Sequence, residues 1–421
     1  MDALRIVGGA ALRGVVDVSG AKNASLPAMA AALLADGTST LRGAPDLADI
    51  RTLATLLGHL GVRTTRHGND LAMDGSGLTG TEAPYELVRT MRATILVLGP
   101  LLARCGEAKV SLPGGCAIGA RPVDQHLVGL RALGAEIGIS HGYVIARAAK
   151  GLVGADVTFD MQTVTGTENI MLAAALAKGT TRLHNAACEP EVVDLAELLA
   201  KMGVPVHGAG TDCITIEGQK TVSPYDHHVV ADRIECGTLL IAGALAGYPL
   251  TVRGGNIAHQ ESLLHKLRTM GCSIAVDAPQ KSITIAKPQV VGPVEVQTAP
   301  YPGFPTDMQA QLMVPMALAS GTSVFTETIF ENRFMHVDEL NRMGANIRVD
   351  GRTAVVHGVK ALSGTTVMAT DLRASACLVL AGLVAEGETT VRRVYHLDRG
   401  YEGLEKKLAK VGATIRRFVE I

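Results

Sequence analysis

The sequence has no excess of charge of either sign. Its 421 residues include 39 Lys and Arg against 40 Asp and Glu, which gives a formal net charge of −1. Proteins that hold nucleic acid or an anionic membrane through a general positive field need a surplus of basic residues. The composition therefore predicts no nucleic-acid partner and no membrane partner, and any cationic binding site must be local.

The sequence also lacks long hydrophobic runs, although 47% of its residues are hydrophobic. The longest apolar stretches, such as residues 95–103, fall well short of the roughly 20 residues needed to span a bilayer. Asp2 and Arg5 flank a short strand-like segment, and no apolar region typical of a signal peptide follows. We therefore expect a soluble cytoplasmic protein, whose length favours two or three domains.

No pair of cysteines has the spacing of a zinc site or a redox motif. The 7 cysteines include no CxxC pair, which favours a reducing compartment over a disulfide scaffold and predicts no metal site. Six of them lie in apolar or strand-like stretches or at the ends of elements, and we expect these to be packed. They are Cys105, Cys188, Cys213, Cys236, Cys272 and Cys377.

The remaining cysteine, Cys116, lies in a glycine-rich segment with the sequence LPGGCAIGARPVD over residues 112–124. The glycines and prolines of this segment disfavour a regular strand or helix, so we expect a mobile loop. The nearby guanidinium of Arg121 favours the thiolate form of a cysteine. Cys116 is therefore the candidate reactive thiol.

Two helix patterns that end in glycine recur six times along the chain. The glycines of the first pattern are Gly37, Gly106, Gly179, Gly247, Gly321 and Gly387, and those of the second are Gly61, Gly134, Gly203, Gly271, Gly344 and Gly412. Each glycine of the first pattern stands where the end of a helix favours a left-handed residue. Successive units are long enough for a strand-helix-strand-helix-strand-strand repeat, so the spacing predicts two domains of three repeats each.

Basic residues stand at the predicted start of the first helix in several units, as at Lys22, Arg92, Arg233 and Arg373. A helix N-terminus already carries about half a positive charge and gains nothing from another cation. These residues are therefore explained best by an anionic ligand that docks at the helix starts. Any one of them alone could instead be a solvated surface charge.

Six motifs closely resemble the enolpyruvyl transferases that act on UDP-N-acetylglucosamine, which belong with the EPSP synthases. They are SGAKN at 19–23, the cysteine loop at 112–124, PTDMQ at 305–309, FENRFMH at 330–336, TDLRAS at 370–375 and HLDRGY at 396–401. The resemblance implies an α/β fold of two inside-out domains, each built from three βαβαββ repeats. Residues 22–229 would form the domain with the cysteine loop, residues 1–21 and 230–421 the second, with the active site in the interdomain cleft.

The resemblance also implies a reaction. The enolpyruvyl group of phosphoenolpyruvate would move to the 3′-hydroxyl of UDP-N-acetylglucosamine with release of phosphate, by addition and elimination through a tetrahedral ketal. This would be the first committed step of peptidoglycan precursor synthesis. Both substrates are small molecules, and the resemblance implies no metal and no cofactor.

Four residues would be catalytic by the same resemblance: Cys116, Asp307, Lys22 and Arg399. Cys116 would be either the acid that protonates the methylene carbon or the nucleophile of a covalent phospholactoyl adduct, and we expect the epoxide fosfomycin to alkylate it. Asp307 would be the base that takes the proton of the sugar hydroxyl, or it would chiefly orient the sugar.

Several cations would hold the anionic phosphoenolpyruvate. Lys22, Arg121 and Arg399 match the phosphate side. Arg333 and Arg373 match the carboxylate side, where a guanidinium can bind with two parallel hydrogen bonds, and Arg399 could serve both sides. The other residues that the resemblance assigns to substrate binding are Asn23, Arg92, Pro122, Val123, Asp124, Gln125, Val164, Asp307 and Ile329.

Two alternatives remain open. A transferase directed to shikimate-3-phosphate would share the fold and the arginines but not the Cys116 loop. A non-catalytic paralogue could bind the sugar nucleotide and regulate cell-wall synthesis, although Cys116, Lys22 and Arg399 are all present. Dinucleotide binding and a P-loop are disfavoured, because the glycine-rich loop lacks the order of either motif.

Overall fold

The computed structural model describes residues 2–89, 91–112 and 123–420, and these divide into two compact units. We call the described residues between 20 and 230 the central unit, and residues 2–19 with 231–420 the terminal unit. The division falls after Ser19 and after Val230, whereas the sequence-based domain boundaries follow residues 21 and 229. None of the described helices is long and apolar enough to cross a membrane.

The chain begins with two strands of the terminal unit and then forms the central unit. The elements of the first stretch are β1 (Asp2–Val7), β2 (Leu12–Asp17), α1 (Lys22–Ala31), β3 (Thr38–Arg42), α2 (Ala48–His59), β4 (Arg63–His67) and β5 (Asp70–Asp74). Those of the second repeat are β6 (Glu82–Ala83), α3 (Tyr85–Val88), α4 (Leu98–Cys105), β7 (Glu107–Ser111), α5 (Asp124–Ala132), β8 (Glu136–Ser140) and β9 (Tyr143–Arg147). The unit ends with β10 (Asp156–Thr158), α6 (Val164–Ala174), β11 (Thr180–His184), α7 (Pro190–Lys201), β12 (Val206–His207), β13 (Cys213–Glu217) and β14 (Asp226–His228).

The rest of the terminal unit follows the same order of elements. Its first stretch comprises α8 (Arg233–Ala246), β15 (Gly247–Arg253), α9 (Glu261–Thr269), β16 (Ser273–Asp277) and β17 (Ser282–Ala286). The next comprises β18 (Glu295–Gln297), α10 (Gln309–Ala317), β19 (Thr322–Thr326), α11 (Val337–Arg342), β20 (Asn346–Asp350) and β21 (Thr353–His357). The last comprises β22 (Thr366–Met368), α12 (Leu372–Val384), β23 (Glu388–Arg392), α13 (Leu404–Lys410) and β24 (Thr414–Val419).

Within the described residues, each unit has three four-stranded sheets. The orders are β14-β3-β5-β4, β6-β7-β9-β8 and β10-β11-β13-β12 in the central unit, and β16-β17-β15-β2, β18-β19-β21-β20 and β22-β23-β1-β24 in the terminal unit. Strands from the ends of each unit complete its sheets, because β14 pairs with β3, β2 with β15, and β1 with both β23 and β24. The predicted α/β fold with six βαβαββ repeats is confirmed.

The helices that follow the leading strand of each repeat lie inside the units. In the terminal unit α8, α10 and α12 pack against one another, and in the central unit α6 packs against both α1 and α4. All nine residues of α10 are buried. A helix whose side chains are mostly apolar all round must be covered on every side, which explains why the sheets form the outer layer. The ends of these buried helices therefore position polar side chains inside each unit.

The glycines of the second helix pattern all have left-handed backbones, with φ between 92° and 113°. The prediction of a left-handed conformation is wrong for two glycines of the first pattern. Gly247 has φ −73° because α8 passes directly into β15, and a Cβ there would lie 2.5 Å from the carbonyl oxygen of Gly243. Gly321 also lies outside the left-handed region, and a Cβ there would approach Pro293 to 3.1 Å. Close packing explains both glycines.

Candidate functional site

A carboxylate held between two guanidiniums is the centre of the candidate site in the terminal unit. Asp307 lies in a short 3-10 helix, Thr306–Met308, that leads directly into α10. Its Oδ1 accepts a hydrogen bond of 2.7 Å from Nη2 of Arg333. Its Oδ2 accepts bonds of 3.0 and 2.7 Å from Nε and Nη2 of Arg373. Both carboxylate oxygens are therefore paired with cations.

Both guanidiniums of this cluster are buried, whereas the carboxylate is partly open. The side chains of Arg333 and Arg373 are 4% and 3% exposed, and that of Asp307 is 26% exposed. Burial, the largest single cause, lowers the pKa of Arg373, but the charge and hydrogen bonds of Asp307 together with Tyr401 and Asp232 raise it overall. The Nη1 group of each arginine is buried and has no acceptor among the described residues. Since buried donors in proteins usually have a partner, these groups are suited to an anionic ligand.

The ring of Tyr401 supports the guanidinium of Arg373. The carbon Cζ of Arg373 lies 5.4 Å from the centroid of the ring, within the range of a cation–π interaction. The Tyr401 hydroxyl hydrogen-bonds with Oγ1 of Thr238 at 2.9 Å and accepts a bond of 3.0 Å from Nε2 of Gln311. Thr238, Gln311 and Arg373 belong to α8, α10 and α12, so Tyr401 connects all three buried helices beside the arginine.

Acidic side chains cap the starts of α8 and α12. Asp232 accepts hydrogen bonds of 2.8 and 3.0 Å from two backbone N–H groups of the first turn of α8, and Asp371 does the same in α12 at 2.7 and 3.0 Å. Such caps satisfy N–H groups that have no partner inside the helix. The charge of Asp232 also contributes to the raised pKa of Arg373. The carboxylates of Asp232 and Asp371 therefore lie near Arg373, the cation predicted at the start of α12.

Lys22 forms a buried ion pair in the central unit. It is the first residue of α1, which has no side-chain cap, and its Nζ lies 3.3 Å from Oδ2 of Asp49 in the first turn of α2. A cation at a helix start is unfavourable by itself, and the buried carboxylate of Asp49 offsets this cost. The neighbouring Asn23 is exposed.

Three further predicted substrate-binding residues of the central unit lie at the starts of helices. Asp124 begins α5, Val164 begins α6, and Arg92 begins the 3-10 helix Arg92–Val97. Buried Gln125 accepts a hydrogen bond of 2.9 Å from the backbone N–H of Asp160. Val123 is half-buried directly before α5.

A buried histidine, which sequence reasoning missed, connects these helix starts. Nδ1 of His126 in α5 lies 2.9 Å from Nδ2 of Asn169 in α6, and its Nε2 lies 3.4 Å from Oγ1 of Thr165. Nδ2 of Asn169 also donates to the backbone oxygen of Ile95 at 3.3 Å. Burial, the largest cause, lowers the pKa of His126 to about 4. The neutral ring thus joins α5 and α6, and Asn169 extends the link to the helix that begins at Arg92.

The remaining described site residues lie in the terminal unit. Arg399 is the last residue of the 3-10 helix Val394–Arg399, and its positive charge, after burial, lowers the pKa of His396. Ile329 is half-buried in the loop after β19, and its backbone N–H donates to Oε1 of Glu327 at 2.8 Å. The structure therefore brings Asp307, Arg333 and Arg373 into direct contact.

Cys116, Arg121 and Pro122 lie outside the described residues, so their roles stay predictions. The prediction that the other cysteines are packed is wrong for Cys105 and Cys213, which are exposed because one ends α4 and the other begins β13 at an outward-facing position. Burial raises the pKa of the Cys272 thiol to about 12. Among the described residues, no group of three His, Cys, Asp or Glu side chains could hold a metal ion.

Comparison with known proteins gives full-length matches. The family described as EPSP synthase (3-phosphoshikimate 1-carboxyvinyltransferase) matches residues 6–408. The chain is 61% identical to the UDP-N-acetylglucosamine 1-carboxyvinyltransferase of Anaeromyxobacter sp. (strain K), over 99% of each chain. It is 56% identical to the protein of the same name from Myxococcus xanthus (strain DK1622), again over 99% of each.

Solved structures of related enzymes also match the chain over its full length. The enolpyruvyl transferase NikO from Streptomyces tendae matches with a TM-score of 0.89 and 28% identity, over 100% of this chain and 99% of that one. The EPSP synthase from Acinetobacter baumannii shares the fold, with a TM-score of 0.77 and 18% identity over 100% of both chains. The chain therefore belongs to the EPSP synthase family.

Proposed function

We propose that the protein transfers the enolpyruvyl group of phosphoenolpyruvate to the 3′-hydroxyl of UDP-N-acetylglucosamine and releases phosphate. The observation that carries this proposal is the Asp307 carboxylate held between the buried guanidiniums of Arg333 and Arg373. A substrate with a carboxylate and a phosphate needs several fixed cations, and a hydroxyl that attacks needs a carboxylate or a similar base. The names of the relatives with 61% and 56% identity support UDP-N-acetylglucosamine as the acceptor.

The addition step uses both the carboxylate of Asp307 and the guanidiniums of Arg333 and Arg373. The sugar hydroxyl oxygen bonds to C2 of phosphoenolpyruvate while its proton passes to the Asp307 carboxylate. The C3 methylene takes a proton from Cys116 and becomes a methyl group, which gives the tetrahedral ketal. Nη1 of Arg333 and Nη1 of Arg373 donate to the substrate carboxylate, because these buried donors have no acceptor among the described residues.

The elimination step reverses the proton transfers and breaks a different bond. The methyl group of the ketal returns a proton to Cys116 and the carbon–carbon double bond forms again. The C2–O bond to phosphate breaks, and the proton held by Asp307 passes to the departing phosphate. Lys22, Arg121 and Arg399 stabilise the departing phosphate by their positive charges. Residues 22–229 and residues 1–21 with 230–421 would be the two functional domains.

The proposed reaction belongs in the cytoplasm at the first committed step of peptidoglycan precursor synthesis. A cytoplasmic location is supported by seven cysteines without a disulfide spacing pattern. We assign Asn23 and Asp307 to the sugar hydroxyls. The nucleotide would be bound by Arg121, Pro122, Val123, Asp124 and Val164, and Arg92, Gln125 and Ile329 would be further substrate-binding residues.

The experiment is an assay of phosphate release from phosphoenolpyruvate. The acceptor is UDP-N-acetylglucosamine, shikimate-3-phosphate or none, and the proteins are wild type and Cys116→Ser. We expect release with the sugar nucleotide only and a severe loss in the variant. Release with shikimate-3-phosphate would assign the other acceptor, and binding of the sugar nucleotide without any turnover would indicate a non-catalytic paralogue.

A further inference from the structure

A buried carboxylate lies directly behind the Asp307 cluster. Glu327 follows β19 and is 1% exposed. No Lys, Arg or His among the described residues forms an ion pair with it. A buried charge without a cation is costly unless hydrogen bonds satisfy it, so its neighbours must supply donors.

Four donors satisfy this carboxylate. Oε1 of Glu327 accepts hydrogen bonds of 2.8 and 3.2 Å from the backbone N–H groups of Ile329 and Phe330, and of 2.9 Å from the hydroxyl of Thr298. Oε2 accepts a single bond of 2.8 Å, from the hydroxyl of Thr306. A carboxylate accepts at both oxygens, whereas the amide of Gln would present a donor on one side. The site is therefore built for a carboxylate.

The two oxygens of Glu327 bind groups that lie next to the two members of the ion pair between Asp307 and Arg333. On the Oε2 side, Thr306 directly precedes Asp307 in the same 3-10 helix. On the Oε1 side, Phe330 has its ring 5.4 Å from Cζ of Arg333. Arg333 and Asp307 are themselves joined by a hydrogen bond of 2.7 Å.

We propose that Glu327 is a positioning residue, which holds Asp307 through Thr306 and Arg333 through the backbone of residues 329 and 330. The proposal rests on the proposed function, because it concerns the groups that act on phosphoenolpyruvate and the sugar hydroxyl. Glu327 does not touch the substrates. Its hydrogen bonds fix the direction in which the Asp307 carboxylate faces, and misplacement of a reacting group by about 1 Å can cost on the order of 100-fold in rate.

The test separates the connection to Asp307 from general support of the fold. Thr306→Val removes one hydroxyl at nearly constant shape, and Thr306→Ser keeps it. The matched control is Thr298→Val, which removes the other hydroxyl from the same carboxylate but is not adjacent to Asp307. Glu327→Gln keeps an acceptor for the backbone donors and turns a donor toward Thr306.

We expect Thr306→Val to lower kcat by roughly 10- to 100-fold with little change in either KM. Thr306→Ser should restore most of the activity, and Thr298→Val should keep wild-type kcat even though it lowers the Tm at least as much. Glu327→Gln should also lower kcat with little change in the KM for phosphoenolpyruvate, because the amide keeps the backbone donors on the Arg333 side and loses only the acceptor for Thr306.

Two results would overturn the proposal. One is a kcat for Thr306→Val equal to that of the wild type, and the other is an equal loss of kcat in Thr298→Val, which would indicate support of the fold alone. Wild-type protein without turnover in the same assay would instead refute the proposed function, and the positioning role with it. The wild-type control thus distinguishes the two failures.

Discussion

Replacement of Arg373 by Lys isolates the part of the guanidinium that is predicted to bind phosphoenolpyruvate. Arg373 uses Nε and Nη2 for Asp307 and leaves Nη1 without an acceptor among the described residues. A lysine ammonium can still face Asp307, but it lacks the planar fork that serves two anions together. The variant should therefore lose one charge-assisted hydrogen bond to the substrate, about 1.5–3 kcal/mol. This corresponds to a fall in kcat/KM for phosphoenolpyruvate of roughly 10- to 150-fold.

Steady-state kinetics with each substrate varied in turn measure this effect. The control is Arg253→Lys, because Arg253 binds Asp17 with similar geometry, at 2.6 and 3.1 Å, on the exposed side of a sheet in the same unit. The control should leave both the kinetics and the stability nearly unchanged. An unaltered kcat/KM for phosphoenolpyruvate in Arg373→Lys would refute the assignment of this guanidinium to the substrate carboxylate.

Three further predictions concern stability, each measured by urea denaturation. Lys22→Met removes the cation that faces the buried carboxylate of Asp49 and should cost about 3–5 kcal/mol, so a cost below about 1 kcal/mol would contradict the buried pair. The pKa of His126 is lowered from the usual histidine value of 6.5 to about 4, so between these two pH values the native state binds fewer protons than the unfolded state. The free energy of unfolding should therefore fall as the pH drops from 6.5 toward 4. An equal fall in His126→Gln would refute this explanation. Gly134 has φ 92°, so Gly134→Ala should destabilise the protein by about 1–2 kcal/mol. Gly58 lies inside α2 with open space around it, so Gly58→Ala should stabilise the protein by up to about 1 kcal/mol. A change in stability of the same sign for both variants would exclude backbone strain as the cause.

The repeat architecture could be predicted from the sequence because each unit carries its own local signal. A glycine after a helix indicates the local backbone without reference to distant residues, and Gly37, Gly106, Gly179 and Gly387 have the expected left-handed conformation. The exceptions, Gly247 and Gly321, depend on atoms packed against them, which a local pattern does not contain.

The site could be predicted by residue type but not by pairing. The motifs indicate Asp307, Arg333 and Arg373 as separate candidate site residues, yet only the fold shows that both arginines bind the same carboxylate. Glu327 and His126 have no distinctive spacing, since their partners come from other elements of the chain. Buried polar networks of this kind are consequences of tertiary packing.

The central claim is transfer of an intact enolpyruvyl group to UDP-N-acetylglucosamine, and identification of the product tests it most directly. Mass spectrometry and NMR of the sugar nucleotide after incubation with phosphoenolpyruvate would locate the added group. Our account predicts an enolpyruvyl ether at the 3′-oxygen with wild-type protein and little or none with Asp307→Asn. Recovery of unmodified UDP-N-acetylglucosamine from a reaction in which folded wild-type protein binds both substrates would contradict it.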